Sequence, residues 1–371
     1  MRRRLLMVGR TRYALPLSDS LARKFDSLDR ELDVRVLASR TRGSDGSDPR
    51  FRLVDPLPAL DGPAFYALLP LRVARELRRE QPDAVLVQGA QETALVLLGR
   101  ALARSPAKVI ADLHGDPAAP TRLYGSPLRR ALSPLGDRLG RVAMRRADGV
   151  RTLSPFTTEL VRGQGVEPAA EFPAFMDLDT FLERTPAPLP VEPVALFVGV
   201  LERYKAIEVL GEAWRVVAAR LPTARLQLVG RGTRRDVPEA LVREFPGRVS
   251  WVESLSSAGV ARAMDDATVL LLPSRSEGLP RIAVEAFCRG RAVVGARAGG
   301  IPDIVEDGVN GVLVPPEDAA ALSDAAVRVL SDRSLAERLG EGARHTADTW
   351  LASPEEYARR VRELVEGVCA T

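Results

Sequence analysis

The stretch TVLLLPSRSEGLPRIAVEAF (residues 268–287) contains a strand, a loop and the beginning of a helix in direct succession. Residues 268–274 form a short apolar run with the length and composition of a buried strand. Pro280 suits the first turn of a helix, and the apolar residues that follow it continue the pattern. The stretch therefore predicts a strand–loop–helix segment, with residues 275–279 as the loop at the carboxyl end of the strand.

The same alternation of strand and helix runs along the rest of the chain. The pattern predicts strands at 4–9, 33–39, 84–89, 108–115 and 149–154, then at 194–200, 225–230, 248–253, 268–274, 291–296 and 311–316. It predicts helices at 17–30, 65–80, 91–103 and 155–163, then at 206–220, 257–266, 280–289, 301–306 and 318–330. Strands that alternate with helices form parallel sheets through right-handed crossovers. The fold class is therefore α/β.

Length and one proline-rich segment indicate two domains. The 371 residues exceed what a single hydrophobic core normally supports. Residues 185–193 contain four prolines, a composition typical of a stiff linker. We predict two Rossmann-like doubly wound domains in tandem, which face a deep cleft where open parallel sheets bind ligands. The predicted domains are 1–175 and 176–353, with the C-terminal helix, about 354–371, packing back on the first domain.

Composition excludes several classes of protein. With 46% hydrophobic and 27% charged residues, the chain has an ordinary globular composition, and no apolar run approaches the roughly 20 residues of a membrane helix. The basic start is followed by too short an apolar segment for a signal peptide, so we expect a cytoplasmic protein. The two cysteines, Cys288 and Cys369, and the two histidines offer neither a disulfide framework nor a zinc site.

Positive charge is concentrated in the first half of the chain. Residues 1–190 carry a net charge of +7, whereas residues 191–371 carry −3. The surplus is densest between residues 122 and 151, where leucines at three- and four-residue steps predict amphipathic helix with a basic face. This face is either a solvated surface or a surface for an anionic acceptor or lipid on the inner face of the membrane. Candidate residues are Arg129, Arg130, Arg141 and Arg145. Nucleic acid is not expected, because aromatic residues are few and none lie among these arginines.

Two carboxylates flank the predicted loop and helix start. Glu277 lies in the loop, and Glu285 lies about a turn and a half into the helix. Gly278 allows close approach of a ligand, and the N–H groups of the first helical turn suit a diphosphate. A carboxylate that accepts two hydrogen bonds recognises neighbouring hydroxyls, and a nucleotide sugar carries such pairs on its sugar and on its ribose. As a bare spacing, however, the pair is equally typical of two surface glutamates.

A longer match resolves this ambiguity. Residues 270–318 resemble the donor-binding signature of the family-4 retaining glycosyltransferases, which have the GT-B fold. LFVGVLERYKAIEVL (196–210) resembles the family's strand, loop and lysine, and VIADLHGDP (109–117) resembles the strand whose histidine reaches the cleft. The resemblance extends over nearly the whole chain, most closely from about 194 to 318.

The resemblance implies a role for each matching residue. Glu277 would bind hydroxyls of the donor sugar, Glu285 would bind the ribose, and Lys205 would neutralise the diphosphate. His114 would contact the donor sugar near the reacting carbon, which makes His114, Lys205 and Glu277 the candidate catalytic residues. The remaining candidates are Gly199, Arg203, Gly278, Leu279, Pro280 and Arg281 for the donor, and Gly9 and Arg10 for the acceptor.

Three positions depart from the family pattern. Val200 stands where the family usually has an arginine that contacts the diphosphate, and Arg203 or Arg281 are the candidates to replace its charge. Ala206 replaces the glycine that usually follows the lysine. The usual pair of glycines after the first strand is reduced to Gly9 followed by Arg10, which leaves the acceptor open.

The expected activity is transfer of a sugar from a nucleoside diphosphate sugar to a hydroxyl acceptor, with retention and without a metal or other cofactor. The acceptor would be a cell-envelope glycan, a lipid-linked molecule or a small molecule. Asp177 and Asp179 fit the metal-binding Asp-x-Asp pattern but fall in the interdomain connection, so no metal is expected there. Alternatives are a sugar-nucleotide-binding protein with little turnover and a sugar-nucleotide epimerase. An NAD-dependent dehydrogenase is disfavoured, because GRG (230–232) lacks the full dinucleotide fingerprint.

Overall fold

The computed structural model describes residues 2–56, 61–116 and 127–371, apart from the side chains of residues 61–62 and 127–133. Its contacts divide the chain into two compact units. The first unit contains Met1–Phe175 and Ala352–Thr371, and the second contains Met176–Leu351. Each unit is built on one parallel sheet, which confirms the predicted α/β fold.

The first unit has a seven-stranded sheet in the order β3-β2-β1-β4-β5-β6-β7. Its strands are β1 (Arg4–Tyr13), β2 (Asp33–Arg40), β3 (Phe51–Val54), β4 (Ala84–Gln88), β5 (Lys108–Leu113), β6 (Gly149–Thr152) and β7 (Ala170–Glu171). Its helices are α1 (Asp19–Glu31), α2 (Asp61–Glu80), α3 (Ala90–Ala103), α4 (Pro127–Arg146) and α5 (Pro155–Arg162). The sequence predicted the five central strands of this sheet but neither β3 nor β7, the short strands at its two edges.

The C-terminal helix of the chain also belongs to the first unit. This helix, Pro354–Ala370, begins at Ser353, whose hydroxyl accepts a hydrogen bond from the backbone N–H of Glu356. Tyr357, Val361 and Val365 are buried in the same apolar cluster as side chains of α1, β1 and β2. The helix therefore supplies part of the core on one face of the first sheet.

The second unit has a six-stranded sheet in the order β10-β9-β8-β11-β12-β13. Its strands are β8 (Val194–Val198), β9 (Arg225–Val229), β10 (Val249–Val252), β11 (Val269–Leu272), β12 (Ala292–Ala296) and β13 (Gly311–Val314). Its helices are α6 (Asp179–Leu182), α7 (Ile207–Arg220), α8 (Asp236–Glu244), α9 (Ser257–Asp265), α10 (Arg281–Cys288), α11 (Ala319–Ser331) and α12 (Arg333–Trp350), and the C-terminal helix of the first unit becomes α13. All of the predicted strands of this sheet are present.

One predicted helix is wrong. Residues 301–306 make a single helical turn, in which the Val305 N–H donates to the carbonyl oxygen of Ile301 over 2.8 Å. The turn does not continue, because the N–H of Glu306 donates to the side chain of Asn310 instead, also over 2.8 Å. Ile301 and Val305 are nevertheless buried, which explains the apolar spacing that suggested a helix.

Candidate functional site

The loop after β11 holds a buried ion pair in the second unit. The ammonium of Lys205 donates a hydrogen bond of 2.5 Å to Oε1 of Glu277, and the two side chains are 9% and 11% exposed. Lys205 lies in a short 3-10 turn, Arg203–Lys205, between β8 and α7. Two residues that the sequence assigned to catalysis therefore meet although they are 72 positions apart.

An arginine that the sequence interpretation did not single out joins the two loops. The backbone N–H of Arg275 donates to the carbonyl oxygen of Tyr204 over 2.7 Å, and its guanidinium bonds the carbonyl oxygen of Arg203. The same guanidinium pairs with Glu208 at 2.8 Å and also contacts Glu317. Arg275 thus fixes the 3-10 turn that carries Lys205 beside the loop that carries Glu277.

A pair of glycines supports the Glu277 loop from the other side. The N–H of Gly300 donates to the carbonyl oxygen of Glu277 over 2.8 Å. Gly299 has a φ of +56°, and a Cβ placed there would lie 2.5 Å from the Glu277 carbonyl oxygen. Any side chain would displace the loop, so both the conformation and the space at Gly299 require glycine.

The second glutamate pairs within its own helix. Pro280 is the N-cap residue of α10. The helix therefore begins at Arg281, one residue later than the sequence predicted. Arg281 donates from Nε to Oε1 of Glu285 over 2.6 Å and from Nη2 to the carbonyl oxygen of Asp177 over 2.7 Å. Burial raises the pKa of the Glu285 carboxyl above its ordinary value, and Arg281 offsets only part of that effect. Glu285 is therefore a buried acceptor held in place by an arginine.

The loop after β8 places the remaining donor candidates. Gly199 lies against Lys205. A Cβ placed at residue 199 would lie 3.4 Å from Cε of the lysine. Val200 is 43% exposed, and Arg203 is also exposed. Since Arg281 is engaged by Glu285, Arg203 is the better candidate for the charge that Val200 does not supply.

The GRG motif (230–232) supports this same loop. A Cβ placed at Gly230 would lie 1.8 Å from the carbonyl oxygen of Gly199, and one at Gly232 would lie 2.4 Å from that of Leu201. The N–H of Leu201 donates to the carbonyl oxygen of Arg231 over 2.9 Å. The glycines of the motif thus allow two backbone segments of the protein to approach each other.

In the first unit, His114 follows β5 and is part of a polar chain. Its Nε2 lies 2.9 Å from Oδ2 of Asp112, and its Nδ1 lies 3.3 Å from the amide nitrogen of Gln88. The hydroxyl of Thr11 donates to the other amide atom of Gln88, Oε1, over 2.7 Å. An ionised Asp112 can only accept, so the proton of a neutral His114 is on Nε2, and Nδ1 accepts from Gln88.

A buried arginine anchors this chain. Arg151, with no exposed surface, donates to Oδ1 of Asp112 over 2.7 Å and to the carbonyl oxygen of Pro173 over 2.8 Å. Its guanidinium lies 4.0 Å from the centre of the Phe172 ring. Burial would raise the pKa of the Asp112 carboxyl, but Arg151 and His114 outweigh it and hold that pKa at about 2.

Sequence reasoning missed Asp112 and Arg151, although a signal was present. Each is a charged residue in the middle of an apolar strand, in β5 and β6 respectively. A buried charge of this kind needs a partner, and neighbouring strands supply one.

The two residues proposed for the acceptor side also have defined surroundings. A Cβ placed at Gly9 would lie 2.9 Å from Oε1 of Gln88, so a larger residue would press on the side chain that contacts His114. The guanidinium of Arg10 lies 5.7 Å from the centre of the Tyr66 ring. The Tyr66 hydroxyl donates to Glu92 over 2.8 Å.

The arginine-rich helix α4 exposes apolar residues as well as charge. Leu135, Leu139 and Val142, at steps of four and three, are 68%, 48% and 39% exposed. Arg141 and Arg145 are exposed on the same helix, and Arg145 donates to the carbonyl oxygen of Gln164. Arg122 and the side chains of Arg129 and Arg130 lie outside the described residues.

Within residues 2–56, 61–116 and 127–371, no group of three or more His, Cys, Asp or Glu side chains could hold a metal ion. Of the Asp-x-Asp pair, Asp177 offers its carbonyl oxygen to Arg281, and Asp179 begins α6. None of the helices in those ranges has the length and apolarity that a membrane crossing requires.

Two parallel sheets in separate units, with polar side chains on the loops that follow their strands, define an α/β protein of the GT-B type. The chain belongs to the group 1 glycosyltransferases: the model of "Glycosyl transferases group 1" matches residues 192–332, and that of the "Glycosyl transferase 4-like domain" matches residues 9–172. The suspected family is thereby confirmed.

Named relatives agree with this assignment. The alpha-D-kanosaminyltransferase of Streptomyces kanamyceticus is 27% identical over 238 residues, which are 60% of this chain and 61% of that protein. A D-inositol 3-phosphate glycosyltransferase of Mycobacterium avium (strain 104) is 31% identical over 216 residues, 53% of this chain and 49% of that protein. The matches thus span about half to three fifths of these relatives' lengths.

Solved structures share the fold over the full length. The sucrose-phosphate synthase of Thermosynechococcus elongatus has a TM-score of 0.80 at 21% identity, with all of both chains covered. HepE of Anabaena, in complex with UDP-glucose, has a TM-score of 0.72 at 16% identity, again with both chains covered completely. At these identities the likeness concerns the fold.

Proposed function

We propose that this glycosyltransferase moves a sugar from a nucleoside diphosphate sugar to a hydroxyl acceptor with retention of configuration. The observation that carries the proposal is the buried pair of Lys205 and Glu277 on adjoining loops of the second unit. A lysine held beside a carboxylate offers a positive charge to a diphosphate and an acceptor to a sugar hydroxyl. The UDP-glucose bound in the Anabaena structure supports this class of donor.

The proposed division of roles is the one that the family resemblance implies. Lys205 would stabilise the negative charge that develops on the departing diphosphate, and the positive end of the α10 helix dipole would add to this effect. Glu277 would orient the sugar through its hydroxyls, and Glu285 would accept from the ribose. The sugar carbon would pass through an oxocarbenium-like state.

His114 would act from the first unit. Its proton on Nε2 is engaged by Asp112, and Gln88 occupies Nδ1, so the imidazole is held in one orientation. We infer that this ring contacts the donor sugar near the reacting carbon through its exposed edge, since its side chain is 35% exposed. Asp112 and Arg151 are positioning residues in this scheme.

The first prediction concerns transfer itself. With a competent donor and acceptor, we expect a product with the anomeric configuration of the donor, formed at an undiminished rate in excess EDTA. The reason is that Lys205 and a helix N-terminus supply the charge that a metal would otherwise provide. NMR of the anomeric proton and initial rates with and without EDTA measure both expectations.

Other outcomes identify the alternatives. A product of inverted anomeric configuration would contradict retention. Complete loss of sugar transfer in EDTA, with recovery on addition of manganese, would contradict metal independence. Nucleotide binding without transfer would show a binding protein, for which the exposed Val200 is the structural argument. A changed sugar without any acceptor would show an epimerase.

A second proposal concerns the exposed face of α4. We propose that Leu135, Leu139 and Val142 insert at the boundary of an anionic membrane, while Arg138 and Arg141 contact lipid phosphates. The observation in its favour is the exposed apolar stripe, which a merely solvated arginine face would not need.

We therefore predict binding to anionic vesicles that declines with salt, because the attraction is screened over about 8 Å at physiological ionic strength. Leu135→Ser/Leu139→Ser should abolish co-sedimentation, whereas Arg359→Gln, an exposed arginine of α13, should not change it. Equal binding to neutral vesicles, or none to either kind, would remove the proposal.

A further inference from the structure

A cavity of about 340 Å³ opens at the edge of the first sheet, away from every residue assigned a role above. It lies between the outer strands β2 and β3 and helix α2, entirely within the first unit. Its polar lining consists of four arginines and one glutamate: Arg40, Arg52, Arg72, Arg75 and Glu76. The proposed transfer reaction gives this cluster no task.

Among the residues that the structure describes, three buried polar atoms in the lining have no hydrogen-bond partner. They are Nε of Arg52, Nη1 of Arg72 and Oε2 of Glu76. Glu76 is only 8% exposed, so its carboxylate is removed from bulk water. Buried polar groups in folded proteins are nearly always paired, so three such atoms around one cavity suit a polar ligand.

The charges that line the cavity indicate the charge of the ligand that it would bind. Arg40 is matched by Asp55, at 2.7 Å, and bonds the backbone of the neighbouring loop. The other three arginines face a single carboxylate, which leaves a surplus of two positive charges. A phosphate monoester carries about −1.5 to −2 at neutral pH, whereas a carboxylate carries only −1.

Glu76 adds a second requirement. An ionised carboxylate only accepts hydrogen bonds, so the ligand must present a donor beside its anionic group. The cavity lies at the small end of the range for ligand sites, which suits a monosaccharide-sized molecule better than a nucleotide. We propose that this cavity binds a small hydroxylated phosphate monoester, such as a sugar phosphate, at a site separate from that of the donor.

Calorimetry with hexose 6-phosphate, inorganic phosphate and the neutral hexose tests the proposal on the full chain. Wild-type protein should bind the hexose phosphate more tightly than phosphate and should not bind the neutral hexose. Arg72→Gln, or Arg75→Gln at the exposed rim, should weaken both phosphate ligands at least about tenfold, the effect of one lost charge-assisted hydrogen bond. Glu76→Gln should preserve binding of inorganic phosphate and remove the preference for the sugar phosphate.

Two controls separate this site from others. Arg79→Gln changes an exposed arginine of the same helix that pairs with Glu80 outside the cavity, and it should leave both affinities unchanged. Lys205→Met, which alters the proposed donor site, should do the same.

The proposal is overturned if wild-type protein binds neither phosphate ligand, or if Arg79→Gln weakens binding as much as Arg72→Gln. It is also overturned if Glu76→Gln leaves the preference intact, because Glu76 would then serve only to neutralise the arginines.

Discussion

Lys205→Met is expected to lower kcat for sugar transfer by about 100- to 1000-fold, the effect of removing one preorganised group that stabilises developing charge. Methionine keeps most of the length and apolar contact of lysine but cannot offer charge to the diphosphate. Because Glu277 would remain buried without its partner, the variant should also lose roughly 3–5 kcal/mol of stability. Steady-state rates and thermal unfolding measure the two effects separately.

The double variant Lys205→Met/Glu277→Gln distinguishes stability from catalysis. Removing both charges eliminates the unpaired carboxylate, so much of the lost stability should return while transfer stays low. Lys108→Met is the matched control, since it makes the same change at a lysine of the first unit. Recovery of transfer in the double variant would mean that Lys205 serves only to neutralise Glu277.

Substitutions of Glu285 and Glu277 are expected to impair different steps. Glu285→Gln is expected to weaken binding of the bare nucleoside diphosphate by roughly 1–3 kcal/mol, because its charge-assisted hydrogen bonds to the ribose are lost. Glu277→Gln should leave that binding nearly intact. This variant should instead show a lower rate of sugar transfer and weaker discrimination between donors that differ at one hydroxyl. Calorimetry with the diphosphate and rates with two epimeric donors measure both.

The raised pKa of Glu285 adds a pH signature to this comparison. The ionised carboxylate accepts charge-assisted hydrogen bonds, which are stronger than those to the protonated carboxyl, so donor affinity in the wild type should fall as pH decreases through that raised pKa. The donor affinity of Glu285→Gln should not decrease in this pH range, whereas that of Glu277→Gln should decrease as in the wild type. A nucleotide sugar is the suitable probe, because it has no terminal phosphate that titrates near pH 6. Equal loss of nucleotide binding in both variants would contradict the division of roles.

All strands except the short edge strands β3 and β7 could be predicted, because parallel strands are buried on both faces and their apolar runs are nearly continuous. Helix α12 was not predicted, since Gly340 and Gly342 interrupt its pattern. The helix predicted at 301–306 failed for a local reason, the competing hydrogen bond from Glu306 to Asn310. Apolar spacing indicates which residues are buried but does not show where a side chain takes over a backbone hydrogen bond.

Without the family resemblance, the candidate site could be predicted only where its residues are close in sequence. The strand–loop–helix pattern placed Glu277 in the loop and Glu285 in α10 correctly. The pairing of Lys205 with Glu277 required the register of β8 beside β11, which no local pattern contains. The anchoring by Arg275 and the chain from Arg151 to His114 also depend on contacts between distant segments.

The position of α13 has a consequence for the order in which the protein folds during synthesis. The second unit is one continuous segment and can complete its core as soon as residue 351 has emerged from the ribosome. The first unit, although translated earlier, lacks Tyr357, Val361 and Val365 until these later residues have emerged, so one face of its sheet stays only partly covered. The nascent first unit should therefore need a chaperone for longer than the second, and a fragment ending at residue 175 should aggregate unless residues 352–371 are joined to it.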